Sequence, residues 1–364
     1  MLHGHGDDVH KFRNITINFS SNISGKTDLS GLYRRLTKRM KCVAAYPEPE
    51  PSGLEAQIAA MYGIQPDEVC VTNGATEAIY LIAQTFRGMK SYVLQPTFSE
   101  YADASRLHGH TVKSIYSLDN IDDNADIVWL CNPNNPTGEA RPENKLKELI
   151  KTHPSVCFVI DRSYEDFTYK KLFSAAEAAE WPQVILLHSA TKRYAIPGLR
   201  LGYITASAAL LQQIRIQRMP WSVNALAIEA GYFLFQDHPS APSFFSDAHS
   251  AEPCAENASQ SDAPPPFPAL NELLAETERL RNAIENLKIA EVWPTDTHFF
   301  LMRLKTGKSA LLKKYLAEEH GILIRNASNF EGLDDSFVRI ATQTPEENSL
   351  LIKALEAWRS SFIY

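Results

Sequence analysis

His188-Ser-Ala-Thr-Lys-Arg-Tyr-Ala-Ile-Pro-Gly-Leu-Arg-Leu-Gly-Tyr203 is the stretch on which the fold turns. The apolar run Val184-Ile-Leu-Leu187 precedes it and reads as a buried strand. Lys192 then falls among groups suited to an oxyanion: the hydroxyls of Ser189 and Thr191 and the guanidinium of Arg200. A lysine beside such a cup is what a pyridoxal phosphate enzyme requires, its amine condensing with the aldehyde while Ser, Thr and Arg hold the phosphate. Gly198 and Gly202 let the backbone pass close to a ligand. Ser-x-Thr-Lys alone also fits a surface loop with one basic residue, and the Gly-x-Arg-x-Gly that follows sharpens the reading.

Outward from this stretch, strands and helices alternate. Strands are expected at Val69–Thr72, Ser91–Gln95, Val112–Tyr116, Ile127–Cys131, Val156–Asp161, Val184–Leu187 and Leu201–Ala206. Helices are expected from Thr76, near Tyr101 and over Pro142–Thr152. This pattern argues an α/β fold around a mainly parallel, mixed sheet, with ligand groups just beyond the strand carboxyl ends. A helix over Asn224–Phe235 gives way to residues 238–268, where Ser, Ala, acidic residues and prolines, including Pro264-Pro-Pro266, read as a mobile insertion with nothing to bury. The tail resumes with a helix over Ala269–Asn286, strands at Phe299–Leu304, Ile322–Ile324 and Phe337–Ala341, and helices over Lys308–His320 and from Pro345. The expected domains are an N-terminal arm over 1–45 packing with the small domain, a large cofactor-binding domain over 46–237, the insertion 238–268, and a smaller α+β domain over 269–364. The arm carries a strand candidate, Ile15–Ser20, and a helix near Leu29–Lys41.

The 364 residues, 44% hydrophobic with a formal net charge of −7, describe an ordinary soluble globular chain. Nothing in that balance points to nucleic acid or to an anionic membrane surface. No apolar run approaches the roughly 20 residues of a membrane span, and Met1–Asp8 lacks the pattern of a signal peptide. Five cysteines without metal spacing read as reduced thiols of a cytoplasmic protein, and no metal site is expected.

Ser189-x-Thr191-Lys192, with Arg200 eight residues on, resembles the lysine segment of fold-type I, aspartate aminotransferase-like pyridoxal phosphate enzymes, especially the histidinol-phosphate aminotransferase group. Further motifs carry the same resemblance. In Asn73-Gly-Ala-Thr-Glu77, it assigns the cofactor phosphate to Ala75 and Thr76, at a helix start where free N–H groups favour an anion. In Pro96-Thr-Phe-Ser-Glu-Tyr101, it gives Tyr101, with Phe98 as runner-up, the place stacked on the pyridine ring. In the rigid turn Asn132-Pro-Asn-Asn-Pro-Thr-Gly138, it aims Asn135 at the ring 3-oxygen. Asp161 ends an apolar strand, where a carboxylate is costly without a partner. The resemblance pairs it with the pyridine nitrogen and lets Tyr164 share the 3-oxygen. Tyr46 of Tyr46-Pro-Glu-Pro-Glu50 resembles a tyrosine that reaches the phosphate in the neighbouring subunit, which implies a homodimer with shared sites.

Within this group, three features resemble the L-threonine O-3-phosphate decarboxylases: His3-Gly-His5-Gly with Asn18-Phe-Ser-Ser-Asn22, Thr97-Phe-Ser-Glu-Tyr101, and Arg325-Asn-Ala-Ser-Asn-Phe-Glu-Gly-Leu333. Thr297-His298 departs from the commoner Ala-Asn of the group. The resemblance implies decarboxylation of threonine phosphate to (R)-1-amino-2-propanol O-2-phosphate in cobalamin synthesis. Its alternative is histidinol-phosphate aminotransferase or a related class I/II aminotransferase. It casts Lys192 as the catalytic base and acid, Arg339 as the carboxylate clamp and Arg325 as the substrate-phosphate ligand. His5 and Asn22 are the remaining substrate contacts it implies. Lysine chemistry by itself does not choose between the two reactions, because the choice lies in which bond at the α-carbon is held perpendicular to the ring.

Overall fold

The computed structural model describes residues 8–23, 25, 27–236 and 269–360. His5 and the expected insertion 238–268 lie outside the described residues. The chain forms two compact units whose segments alternate along the sequence. One comprises Met1–Lys26, Phe86–Phe173 and Pro268–Tyr364, the other Thr27–Thr85 and Ser174–Phe267. No helix among the described residues is long and apolar enough to cross a membrane.

In the first unit, Cys157–Asp161, Ile127–Cys131, Lys90–Leu94 and Thr111–Ile115 lie side by side in that order, all parallel. Ile127–Cys131 and Cys157–Asp161 are buried along their whole length, as strands covered on both faces must be. Parallel strands send their carboxyl ends to one edge, so the loops beginning at Gln95, Asn132 and Arg162 leave from the same side. Cys131 pairs with Asp161, which sets Asp161 level with the start of the Asn132–Gly138 turn.

The same unit holds an antiparallel sheet in the order Arg325–Asn326, Phe337–Ala341, Phe299–Leu304, Ala290–Val292. Side chains alternate along a strand, and the alternation sorts this sheet into two faces. Phe300, Met302, Val338 and Ile340 share a buried core with Leu280 and Leu312, from the helices Leu270–Asn286 and Ser309–His320. Leu301 instead clusters with Ala327 and Phe330, and its ladder partner is Arg339. The arginines therefore point away from the helix-covered face.

Two expected strands come out differently. Ile15–Ser20 is reduced to Ile17–Asn18, because the Asn18 Oδ1 accepts from the backbone N–H of Ser20 (2.9 Å) and Ser21 (3.3 Å) and turns the chain. Ile322–Ile324 becomes Ile322–Leu323, paired in parallel with Ile17–Asn18, and the chain then changes sheets so that Arg325–Asn326 pairs with Phe337–Ala341.

In the second unit, Val69–Thr72, Gly202–Ala206 and Val184–Ser189 pair antiparallel in that order. The helices Ser52–Tyr62 and Ala225–Leu234 pack on them through Leu54, Ile58, Val71, Leu201 and Phe233. A buried ion cluster ties this packing together. Glu55 accepts from Arg218 at 2.8 Å, from Arg215 at 2.9 Å and from the Val71 N–H at 2.9 Å. The three bonds compensate the desolvation of a carboxylate that is almost fully enclosed.

Candidate active site

The candidate residues fall into two sets, one in each unit. In the first unit, Asp161 stands buried at the end of its strand, where Oδ2 accepts from the Tyr101 hydroxyl at 2.7 Å and Oδ1 from the Ser163 N–H at 2.8 Å. Burial, and then the Asp161 charge, push the Tyr101 phenol well above its ordinary range, so it remains a donor. The Tyr101 ring lies nearly parallel to Trp129, with centroids 5.7 Å apart and planes 15° apart. Tyr101 thus has a contact set that its motif did not reveal: Trp129 on its ring and Asp161 on its hydroxyl. Phe98, half-buried, meets Tyr101 edge-on at 5.8 Å.

The Asn132–Gly138 turn is held by Asn134, whose amide donates to the Pro96 carbonyl (3.0 Å) and Thr137 Oγ1 (2.9 Å) and accepts from Thr97 Oγ1 (3.0 Å). Beside it, Asn135 Oδ1 accepts from Arg339 Nη1 at 2.6 Å. With its oxygen so used, the Asn135 NH2 is the group that can donate onward. Tyr164 is buried edge-on against Phe299 at 4.9 Å, and burial raises its phenol pKa against the opposing charge of Arg339. His298 is buried with its ring 3.8 Å from that of Phe167.

Arg325 and Arg339 are both buried, and they are direct ladder partners. Arg339 donates to Asn135 and to the Ser20 carbonyl, while its Nε has no partner among the described residues. Arg325 donates to Asn329 Oδ1 at 2.8 Å and lies over the Phe330 ring at 5.2 Å. Burial lowers the guanidinium of Arg325 to about 10, partly offset by Asp8. Burial lowers Arg339 to about 9, with Tyr164 opposing and Arg325 adding to the shift. Both remain cationic at neutral pH, and buried positive charge of this kind favours the approach of an anion. Asn22 is buried close to the Tyr164 hydroxyl, yet neither of its amide atoms reaches hydrogen-bond geometry with a described residue.

In the second unit, Ser189 ends its strand, and the short helix Ala190–Arg193 carries buried Thr191 and half-buried Lys192. Ser189 pairs with Gly202. A Cβ on Gly202 would lie 2.6 Å from the Ala75 nitrogen and 2.9 Å from the His188 oxygen, so glycine alone lets this strand run against the turn. The helix Gly74–Thr85 starts at that turn and leaves the first N–H groups without intrahelical acceptors. Gly74 has φ +75°, and a Cβ there would lie 2.5 Å from Arg200 Nη2. Arg200 itself holds φ +61°, an uncommon conformation for a side-chain-bearing residue. A guanidinium pressed on a helix N-terminus, level with Ser189, fits a phosphate: donors converge and the dipole has the right sign. Tyr46 stands outside this set, 85% exposed and leaning on Trp221 with ring centroids 5.3 Å apart.

A profile of the family described as aminotransferase class I and II matches residues 16–355. The threonine-phosphate decarboxylase of Salmonella typhimurium is 28% identical over 356 residues, covering 93% of this chain and 90% of that protein. The histidinol-phosphate aminotransferase of Methanocaldococcus jannaschii is 26% identical, covering 85% of this chain and 80% of its own. Among solved structures, L-threonine-O-3-phosphate decarboxylase from Porphyromonas gingivalis superposes with a TM-score of 0.85 at 36% identity, over 94% of this chain and 99% of that one. These likenesses bear out the aspartate aminotransferase-like fold expected from the sequence.

Proposed function

The chain belongs to the class I and II aminotransferase family, a family of pyridoxal phosphate enzymes, and from that premise we propose that it decarboxylates L-threonine O-3-phosphate to (R)-1-amino-2-propanol O-2-phosphate, a step of cobalamin synthesis. The observation that carries this reading is the buried pair Arg325 and Arg339, opposed on neighbouring strands. Two cations so close call for a small molecule with two anionic groups, and threonine phosphate has a carboxylate and a phosphate on one short skeleton. The similarity to threonine-phosphate decarboxylases supports the same choice.

Pyridoxal phosphate, when bound, supplies a ring able to take up the electron pair left at the α-carbon. The chain's own residues do the rest. Lys192 anchors the cofactor through its amine and moves the proton at the α-carbon. Asp161, fixed by Tyr101 and Ser163, holds a proton on the ring nitrogen. Asn135 donates to the ring 3-oxygen with the amide that Arg339 leaves available, and Tyr164 shares that oxygen. Tyr101 would stack on the ring, with Phe98 beside it as the alternative, and Tyr101 also bears on Asp161 through its hydroxyl. Ala75, Thr76, Ser189, Thr191 and Arg200 hold the cofactor phosphate. Arg339 orients the substrate carboxylate, Arg325 grips the substrate phosphate, and Asn22 stands near Tyr164 as a further substrate contact.

Tyr46 serves the phosphate of a second subunit in a homodimer. Its exposure, in contact with half-exposed Trp221, supports an apolar surface that a second copy would cover. The alternative, histidinol-phosphate aminotransferase, is favoured by the likeness to those enzymes. Carbon dioxide release from threonine phosphate, measured beside amino transfer from histidinol phosphate, separates the two. Amino transfer without carbon dioxide release would replace the first reading with the second.

A further inference from the structure

We propose that Glu331 is a positioning residue that latches the Arg325 loop to the ends of two parallel strands and thereby sets the preference for a phosphorylated substrate. The proposal rests on the reading that Arg325 meets the substrate phosphate. After Arg325 the chain turns tightly, with the Phe330 N–H donating to the Ala327 carbonyl at 3.1 Å and the Leu333 N–H to the Phe330 carbonyl at 3.0 Å. Two consecutive residues of this turn hold the guanidinium, Asn329 by a hydrogen bond and Phe330 by its ring face. The next residue, Glu331, reaches away from the turn. Its Oε1 accepts from Ser114 Oγ at 2.6 Å and its Oε2 from Gln95 Nε2 at 3.3 Å. Ser114 belongs to Thr111–Ile115, and Gln95 directly follows the neighbouring strand Lys90–Leu94. Gly332, at φ +90°, then sets its backbone so close to Tyr116 that a Cβ would lie 2.7 Å from the ring.

From Gln95 the bonds run on into the cofactor side of the unit. Gln95 Oε1 accepts from the Thr97 N–H at 3.1 Å, Thr97 Oγ1 donates to Asn134 Oδ1 at 3.0 Å, and Asn135 beside it accepts from Arg339. The side chains that hold the two arginines, Asn329 and Asn135, thus stand at opposite ends of one connected network, with Glu331 as its link. Glu331 itself is exposed and bonds Ser114 and Gln95, so its effect is exerted through the loop. Exposed hydrogen bonds are individually modest, which suits a loop that must release to admit substrate and close to hold it.

The test uses the holoenzyme and two readouts, amide hydrogen exchange over residues 327–333 and steady-state kinetics with threonine phosphate and threonine. Glu331→Ala is expected to speed exchange in that loop about tenfold. It should raise KM for threonine phosphate about 5- to 20-fold, the loss of roughly one good hydrogen bond, with kcat within about twofold and threonine unaffected. Ser114→Ala, which removes the strongest bond from the other side, should give a smaller change of the same kind and little further loss when combined with Glu331→Ala. Glu331→Gln, which can still accept from Gln95 and donate to Ser114, should lie within about threefold of the parent. Unchanged exchange in Glu331→Ala, or fully additive effects of the two alanine variants, overturns the latch. Arg325→Ala run in parallel tests the underlying reading separately. If it penalises both substrates alike, the phosphate assignment fails, whatever Glu331 does to exchange.

Discussion

Arg325 and Arg339 face each other directly across an antiparallel pair of strands, both out of solvent. Like charges placed opposite one another destabilise a sheet, and burial compounds the cost. Hydrophobic residues would suit the packing better, since Leu301, the other ladder partner of Arg339, is apolar and buried. Such a pair is intelligible when a ligand brings negative charge to it.

The two arginines are expected to fail differently. Loss of one buried charge-assisted partner costs about 2–5 kcal/mol, or roughly 30- to 4,000-fold. Arg325→Ala should lower kcat/KM by that order for threonine phosphate and hardly at all for threonine. Arg339→Ala should lower it for both, since both carry the carboxylate. Kinetics of the two variants on the two substrates form the check, and equal losses in all four cells would remove the division of labour.

Stability should move in the opposite direction from activity. Arg325→Met removes one of two like charges buried opposite each other, so the variant should melt at or above the parent temperature without substrate. The sign with pH follows from the lowered guanidinium values, about 10 for Arg325 and about 9 for Arg339. A cation whose folded value is depressed carries its full penalty below that value. Because the unfolded chain holds the proton more tightly, stability from these groups rises with pH above about 9. Calorimetry of parent and variant between pH 7 and 10 measures both effects, and a variant that melts well below the parent at pH 7 would contradict them.

Lys192 should carry the cofactor. Borohydride reduction of the yellow protein should leave pyridoxyl mass on the peptide containing Lys192, and Lys192→Ala should take up no label there. Label found on another lysine would transfer the assignment.

Tyr46 should act in the neighbouring subunit. Mixing Lys192→Ala subunits with Tyr46→Ala subunits, each inactive alone, should restore activity in hybrid dimers that carry one intact site. If mixing restores nothing although both variants fold and exchange subunits, Tyr46 serves no shared site.

Much of the scaffold was legible because parallel strands buried on both faces write themselves as apolar runs. Ile127–Cys131 and Phe337–Ala341 begin and end where periodicity places them. The placements of Asp161 and Asn135 were also legible, since a carboxylate closing an apolar strand and an amide in a proline-locked turn are both unusual. Pairings at long range were not. Ile322–Ile324 looks like one strand, and only its competing partners, Ile17–Asn18 and Phe337–Ala341, divide it and bring Arg325 opposite Arg339. Likewise, nothing in the Tyr101 segment announces Trp129, because that contact depends on how neighbouring elements stack. Glu331 fell inside a quoted motif, but its partners Gln95 and Ser114 lie 236 and 217 residues away along the chain.

The short strand Ile17–Asn18 has a bearing on how the protein is made. The Phe19 N–H donates to the Leu323 carbonyl at 2.7 Å, the Ala341 N–H donates to the Phe19 carbonyl at 3.0 Å, and Arg339 bonds the Ser20 carbonyl. These residues leave the ribosome about 300 positions before their partners, as the 305-residue separation between Thr16 and Gly321 illustrates. Synthesis at roughly 5–20 residues per second leaves them waiting on the order of 15–60 seconds. Over that interval the exposed strand edge and Phe19 are open to mispairing, and the contact of Ser20 with Arg339 forms only when the last strand is delivered. A nascent chain stalled before Phe337 can therefore fold its parallel strands without acquiring Arg339.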